Sequence, residues 1–134
     1  MKGSCLCGKV IYEINPPFKG FQYCHCSRCR KFSGSAHASN IFVPSEQFRW
    51  LQGEDLVGRF EPEHTRYFAT CFCKSCGSSL PWLVKRGKNV VVPAGTLDDD
   101  PQIRPQQNIF WGFRACWYEE PGNLEKHNEL PLRK

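Results

Sequence analysis

The stretch Tyr23-Cys24-His25-Cys26-Ser27-Arg28-Cys29-Arg30-Lys31 sets three thiols within six residues and follows them with a basic cluster. Three thiolates from one short loop hold a zinc ion from one side. A fourth protein ligand would close the site into a structural one; three leave a position for water or a substrate. The other thiols fall into Cys5-x-Cys7, Cys71-x-Cys73-x2-Cys76 and a lone Cys116. Cys73-x2-Cys76-Gly77 has the form of a zinc knuckle. Its two-residue spacer turns backbone amides toward the sulfurs, and the glycine takes the tight conformation after the second thiol. Cys5-x-Cys7-Gly8 is the natural donor of the two further ligands. Cys5, Cys7, Cys73 and Cys76 are therefore expected to share a closed structural site.

That partition leaves Cys24, Cys26 and Cys29 as an open set. Three thiolates on a divalent zinc give a net charge of about −1, which disfavours a strongly acidic zinc-bound water and favours a bound thiol as nucleophile. The competing reading is that Cys71 or His25 supplies a fourth ligand and closes this site too. His25 lies between two ligands, so its ring is expected to point away from the metal. Cys71 sits outside the two-residue spacer and is expected to be a spare thiol in or beside a strand. Cys116, between Ala115 and Trp117, is expected to be a small buried hydrophobe. His37, His64 and His127 have no partners visible in the sequence.

The elements that must position these thiols are short. Strands are expected at Lys9–Ile14, Phe18–Tyr23, His37–Val43, Phe48–Leu51, Leu56–Phe60, Thr65–Thr70, Leu80–Val84, Asn89–Val92 and Asn108–Phe113, each bounded by Gly, Pro, Asn or similar breakers. Arg28 to Phe32 is long enough for a helical turn only, broken by Ser33-Gly34-Ser35. Nowhere do apolar residues keep a helical period for three turns. The expected fold class is therefore mainly β, several short antiparallel strands with little helix. The Asp98-Asp99-Asp100 run lacks the ligand spacing of a calcium loop and reads as a solvated turn. The polar tail from Glu119 to Lys134 is expected to wrap the surface.

At 134 residues the chain suits one domain spanning 1–134, and 40% hydrophobic residues argue against disorder. No stretch resembles a signal-peptide core and none has 18 consecutive apolar residues, so the expected address is the cytoplasm, without a membrane partner. In that reducing compartment nine cysteines are metal ligands or reactive groups rather than disulfides. The net charge of +5 is spread among acidic residues, and only Arg28, Arg30 and Lys31 cluster tightly. This is less than a nucleic-acid footprint demands and suits a small anionic ligand, since guanidinium matches carboxylate geometry.

Three segments carry a resemblance: Gly3-Ser4-Cys5-Leu6-Cys7-Gly8, the run from Cys24 through Lys31-Phe32-Ser33-Gly34-Ser35, and Phe72-Cys73-Lys74-Ser75-Cys76-Gly77-Ser78-Ser79-Leu80. With Ala94-Gly95-Thr96-Leu97-Asp98 and Trp117, they make the chain similar to the glutathione-dependent formaldehyde-activating enzymes, a family that includes centromere protein V and has an Mss4-like fold. The resemblance implies two zincs per chain, a structural one on Cys5, Cys7, Cys73 and Cys76 and a second on Cys24, Cys26 and Cys29. It also implies a reaction, glutathione plus formaldehyde to S-hydroxymethylglutathione, formally a carbon–sulfur lyase run in the synthetic direction, with Arg28, Arg30 or Lys31 receiving the carboxylates of glutathione. The runner-up is a non-catalytic zinc-stabilised module of the same fold that docks protein or nucleic acid. Two positions depart from the family pattern: Asn108 stands where His is frequent, and Cys71 is an extra thiol.

Overall fold

Short β-rich runs separated by turn residues become eleven strands and one α-helix in the computed structural model, which describes residues 1–131. One sheet joins β1 (Lys2–Ser4), β2 (Ile11–Ile14) and β5 (Phe48–Gln52) in that order. A five-stranded sheet runs β11 (Gln107–Ile109), β3 (Gly20–Cys24), β4 (Ala38–Pro44), β10 (Asn89–Pro93) and β9 (Trp82–Leu83). A third joins β6 (Val57–Phe60), β7 (Thr70–Cys73) and β8 (Ser79–Leu80). The fold is thus mainly β. All strand pairings are antiparallel except β11 with β3, which is parallel.

Alternation explains the unbroken β-branched run Val90-Val91-Val92. Successive side chains of a strand point to opposite faces, and β10 is covered on both. Val90 and Val92 join Tyr12, Ile14, Ile41 and Val43 in one core cluster, while Val91 joins Val10, Leu80 and Trp82 in another. A strand buried on both faces needs no polar alternation.

Three expectations are corrected. Thr65–Thr70 is not a strand: Thr65 Oγ1 donates to the carbonyls of Pro62 and Phe68, and Lys85 Nζ donates to the carbonyls of Pro62 and Thr65, so side chains satisfy the backbone where a ladder would have done so. β7 begins only at Thr70. Leu80–Val84 is divided by Pro81 into β8 and β9, which belong to different sheets. Asn108–Phe113 leaves the sheet at Ile109, because Phe110 turns into the left-handed region (φ 53°) and starts a short 3-10 turn at Trp111–Phe113.

The Asp98–Asp100 run is an exposed turn, as expected. Asp98 accepts from Ser4 Oγ at 2.8 Å, Asp99 from the Lys2 backbone N–H at 3.1 Å, and Asp100 pairs with Arg104. Two of the three thus fasten β1 to the return of the chain. Residues 119–131 are exposed, with a single 3-10 turn at Pro121–Asn123.

Gly53 adopts φ +76°, and a Cβ built there runs into the Lys9 carbonyl oxygen. Gly53→Ala is therefore expected to lower stability by about 1–3 kcal/mol, because the residue must both enter the left-handed region and push a backbone oxygen aside. Thermal melting followed by far-UV circular dichroism reads the effect; an unchanged midpoint contradicts it.

Candidate functional site

The three sulfurs of Cys24, Cys26 and Cys29 converge because a strand ends where a helix begins. Cys24 is the last residue of β3, and Cys26 is the N-cap of α1 (Ser27–Ser33), its sulfur accepting from the Cys29 backbone N–H at 3.3 Å. Cys29 is the buried residue of α1, and Gly34 closes the helix in the left-handed region. All three thiols are buried, and their sulfurs lie within 4.8 Å of one another. Asn40 on β4 reaches Cys29 Sγ with its amide nitrogen at 4.0 Å.

Neighbouring thiols set the proton affinities. Hydrogen bonds from Cys24 and Cys29 hold Cys26 far below the ordinary thiol value, while contacts with Cys24 and Cys26 push Cys29 well up. Cys24 is also raised, by Cys26 first. Crowding thus favours a thiolate at Cys26 over thiolates at its two neighbours, and a cation among the sulfurs would favour ionisation of all three. The donor set therefore fits a soft divalent ion.

Cys5, Cys7, Cys73 and Cys76 form the second cluster, again with their sulfurs within 4.8 Å of one another. The turn after β1 brings Cys5 and Cys7, and the β7–β8 turn brings Cys73 and Cys76. Val10 N–H donates to Cys5 Sγ at 3.3 Å, and Gly8 and Gly77 both take positive φ after their cysteine pairs. Hydrogen bonding with the Ser78 hydroxyl and backbone lowers the Cys76 thiol to about 5. The four donors fit the tetrahedral thiolate set of a structural zinc.

Neither His25 nor Cys71 belongs to the three-sulfur cluster. His25 is fully buried with its ring turned to Asn108, whose Oδ1 lies 2.9 Å from Nε2, and it is walled by His37, Trp111 and Tyr118 at ring-centroid distances of 4.9–5.3 Å. Its backbone N–H donates to Ile109 O. Asn108, at the position where the resemblance leads one to look for His, thus ties β11 to the cysteine loop. His37 stacks on Tyr23 at 4.1 Å. Cys71 is buried in β7 and its thiol is pushed up by that burial. Cys116 is exposed, which corrects the expectation that it is buried: the chain buries Ala115 instead, and the next two residues face solvent.

The three-sulfur cluster opens into a cleft of about 310 Å³. Arg28 lines this cleft, with its guanidinium 5.5 Å from the Phe68 ring centroid. Arg30 and Lys31 are not among its lining residues; Lys31 borders a neighbouring depression with Arg28 and Phe32. The second cation of the cleft is Arg66, from the loop before β7, and Phe110 adds an exposed aromatic. No spacing signal in the sequence links Arg66, Asn40 or Phe110 to the cysteines. A larger cavity of about 650 Å³ between Phe48, Trp50 and Leu83 reaches Cys71 and neither sulfur cluster, so size alone does not single out the cleft at the sulfurs.

Among the described residues no helix is long and apolar enough to cross a membrane. The chain resembles, at TM-score 0.63 and 22% identity, a crystal structure of a Rhodobacter sphaeroides protein, with 81% of this chain and 98% of the other covered, a likeness of fold. A Halomonas elongata protein with the provisional name glutathione-dependent formaldehyde-activating enzyme is 26% identical over 118 residues, 81% of this chain and 72% of that protein. The family profile described as glutathione-dependent formaldehyde-activating enzyme matches residues 1–112, a span that contains both sulfur clusters and Arg28, Arg66 and Asn108. The chain belongs to the glutathione-dependent formaldehyde-activating enzyme family.

Proposed function

We propose that this protein is a zinc-dependent enzyme of carbon–sulfur chemistry, formally a carbon–sulfur lyase, that joins a small thiol to a carbonyl compound. Glutathione and formaldehyde giving S-hydroxymethylglutathione is the candidate reaction. The observation that carries this reading is the opening of three buried cysteine sulfurs into a cleft bordered by two guanidinium groups. Cys24, Cys26 and Cys29 would hold one zinc and Cys5, Cys7, Cys73 and Cys76 a structural one. Bound by three thiolates, zinc supplies the charge that keeps a further thiol ionised at neutral pH.

The chain's own groups do the rest. Arg28 and Arg66, both exposed, receive the carboxylates of the thiol substrate, because a guanidinium presents paired donors in carboxylate geometry. Phe68 and Ile109, packed against the three cysteines and lining the cleft, exclude water from the sulfurs. Holding thiol and carbonyl together replaces a bimolecular encounter by an oriented one. The thiolate sulfur bonds to the carbonyl carbon, the carbonyl π pair moves to oxygen, and that oxygen takes up a proton from solvent, matching the one the thiol released to solvent on ionising. No oxidant or reductant is needed. The nine free cysteines suit a reducing compartment, and we place the protein in the cytoplasm.

Exchange NMR of glutathione with formaldehyde tests the reaction; no acceleration by the protein above the spontaneous rate contradicts it. Metal content tests the site. Two zincs per chain are expected, one removed by a mild chelator while the far-UV circular dichroism persists. Two zincs of equal tightness would favour the binding-module reading.

A further inference from the structure

Formaldehyde is one carbon and one oxygen, yet the cleft that receives the three sulfurs is walled mainly by hydrocarbon. Phe42, Trp82, Val84, Val91 and Ile109 form much of that wall, from β4, β9, the segment after it, β10 and β11. The polar lining is already committed or lies outside the wall. Asn40 reaches Cys29 Sγ and Thr65 Oγ1 donates to backbone carbonyls, which leaves the guanidiniums of the exposed Arg28 and Arg66 and the hydroxyl of Tyr67 at the border. A formaldehyde molecule at the sulfurs covers almost none of this apolar surface. The peptide amides of glutathione would lose hydrogen bonds to water against it and find none in exchange.

The border of the cleft makes the same point independently. Tyr67 and Phe110 line it with about half of each side chain exposed (52% and 51%). Phe110 is moreover held at φ 53°, ψ 39°, an uncommon state for a bulky residue. Large aromatics held half out of the core beside reactive thiols are surface left for a ligand to cover. A volume of about 310 Å³ lies at the small end of the range of ligand sites. It accepts the reacting atoms and one compact apolar side chain, with the charged ends of the thiol outside at the arginines.

We propose that the carbonyl partner of this cleft is an aldehyde carrying an apolar side chain of several carbons, so that the product is the hemithioacetal of that aldehyde with a carboxylate-bearing thiol. The inference rests on the carbon–sulfur reading above. The bond changes are the same: thiolate sulfur to carbonyl carbon, a solvent proton to carbonyl oxygen, with the side chain lying along Phe42, Trp82 and Val91.

Two measurements on the zinc-loaded protein test it. In exchange NMR with glutathione, the acceleration over the spontaneous rate is expected to be at least about tenfold greater for hexanal than for formaldehyde. S-hexylglutathione, an unreactive thioether with the same apolar chain, is expected to bind at least about tenfold more tightly than S-methylglutathione, read by tryptophan fluorescence. Equal affinities for the two thioethers, or a formaldehyde acceleration equal to that of hexanal, overturn the inference and leave the carbon–sulfur reading standing. No acceleration of either aldehyde overturns that reading, and the inference falls with it.

Discussion

Cys76→Ser is expected to leave the chain unfolded at 25 °C. Cys76 belongs to the four-sulfur cluster that joins the turn after β1 to the β7–β8 turn, where Cys7 and Cys73 lie 3.9 Å apart across 66 residues of sequence. These turns belong to two different three-stranded sheets, so the clip holds β1-β2-β5 against β6-β7-β8. A structural zinc on four thiolates contributes on the order of 10 kcal/mol or more to folding, and a domain has only about 5–15 kcal/mol of net stability. A serine hydroxyl does not ionise at neutral pH and does not replace the thiolate. Far-UV circular dichroism together with zinc content checks this. A cooperative melt within a few degrees of wild type, with the zinc content of wild type, would remove the structural role of this cluster.

Cys29→Ser is expected to bring the thiol–aldehyde exchange down to the spontaneous rate while the fold persists. The three-sulfur cluster sits between β3 and α1, two elements adjacent in sequence and packed together with Ala38 and Phe68, and α1 keeps its own Arg30 N–H to Cys26 O bond at 3.0 Å. Losing a metal there opens no long-range clip. The cost to folding is that of a buried hydroxyl in place of a thiol, about 1–3 kcal/mol. On the proposed reading, catalysis would lose one of three metal donors, and with it the charge that would keep a further thiol ionised. Exchange NMR on wild type and variant, with circular dichroism on both, separates the two effects. Equal loss of fold in Cys29→Ser and Cys76→Ser would make the second cluster structural as well.

Local features were legible because they depend on neighbours in sequence. The Cys-x-Cys-x2-Cys spacing brings Cys24, Cys26 and Cys29 into reach of one another wherever a strand end meets a helix start. Gly77 takes φ +78° because a tight turn follows the second thiol of the knuckle. The β-branched run at Val90–Val92 reads as a strand from its own residues, and it is one, within β10. The strand expectations failed where tertiary contacts outweighed propensity: Lys85 and the Thr65 hydroxyl capture the backbone around Thr65, and Phe110 turns out of the sheet.

The loop at Cys24 to Lys31 is where the two levels divide most clearly. Its residue types and spacing by themselves determined a sulfur donor set beside a cluster of cations, since ligand chemistry and short spacers need no distant partner. Only the tertiary structure decided which groups share a cleft with the sulfurs. Arg28 stays at the cleft while Lys31 faces a neighbouring depression, and the second cation is Arg66, 37 positions beyond Cys29 in the chain. Likewise His25 turns to Asn108, brought beside it by a parallel pairing of β3 with β11 that spans more than 80 residues. Side-chain direction on a two-turn helix and the pairing of remote strands are settled by packing over the whole core. Spacing within an eight-residue loop carries no information about either.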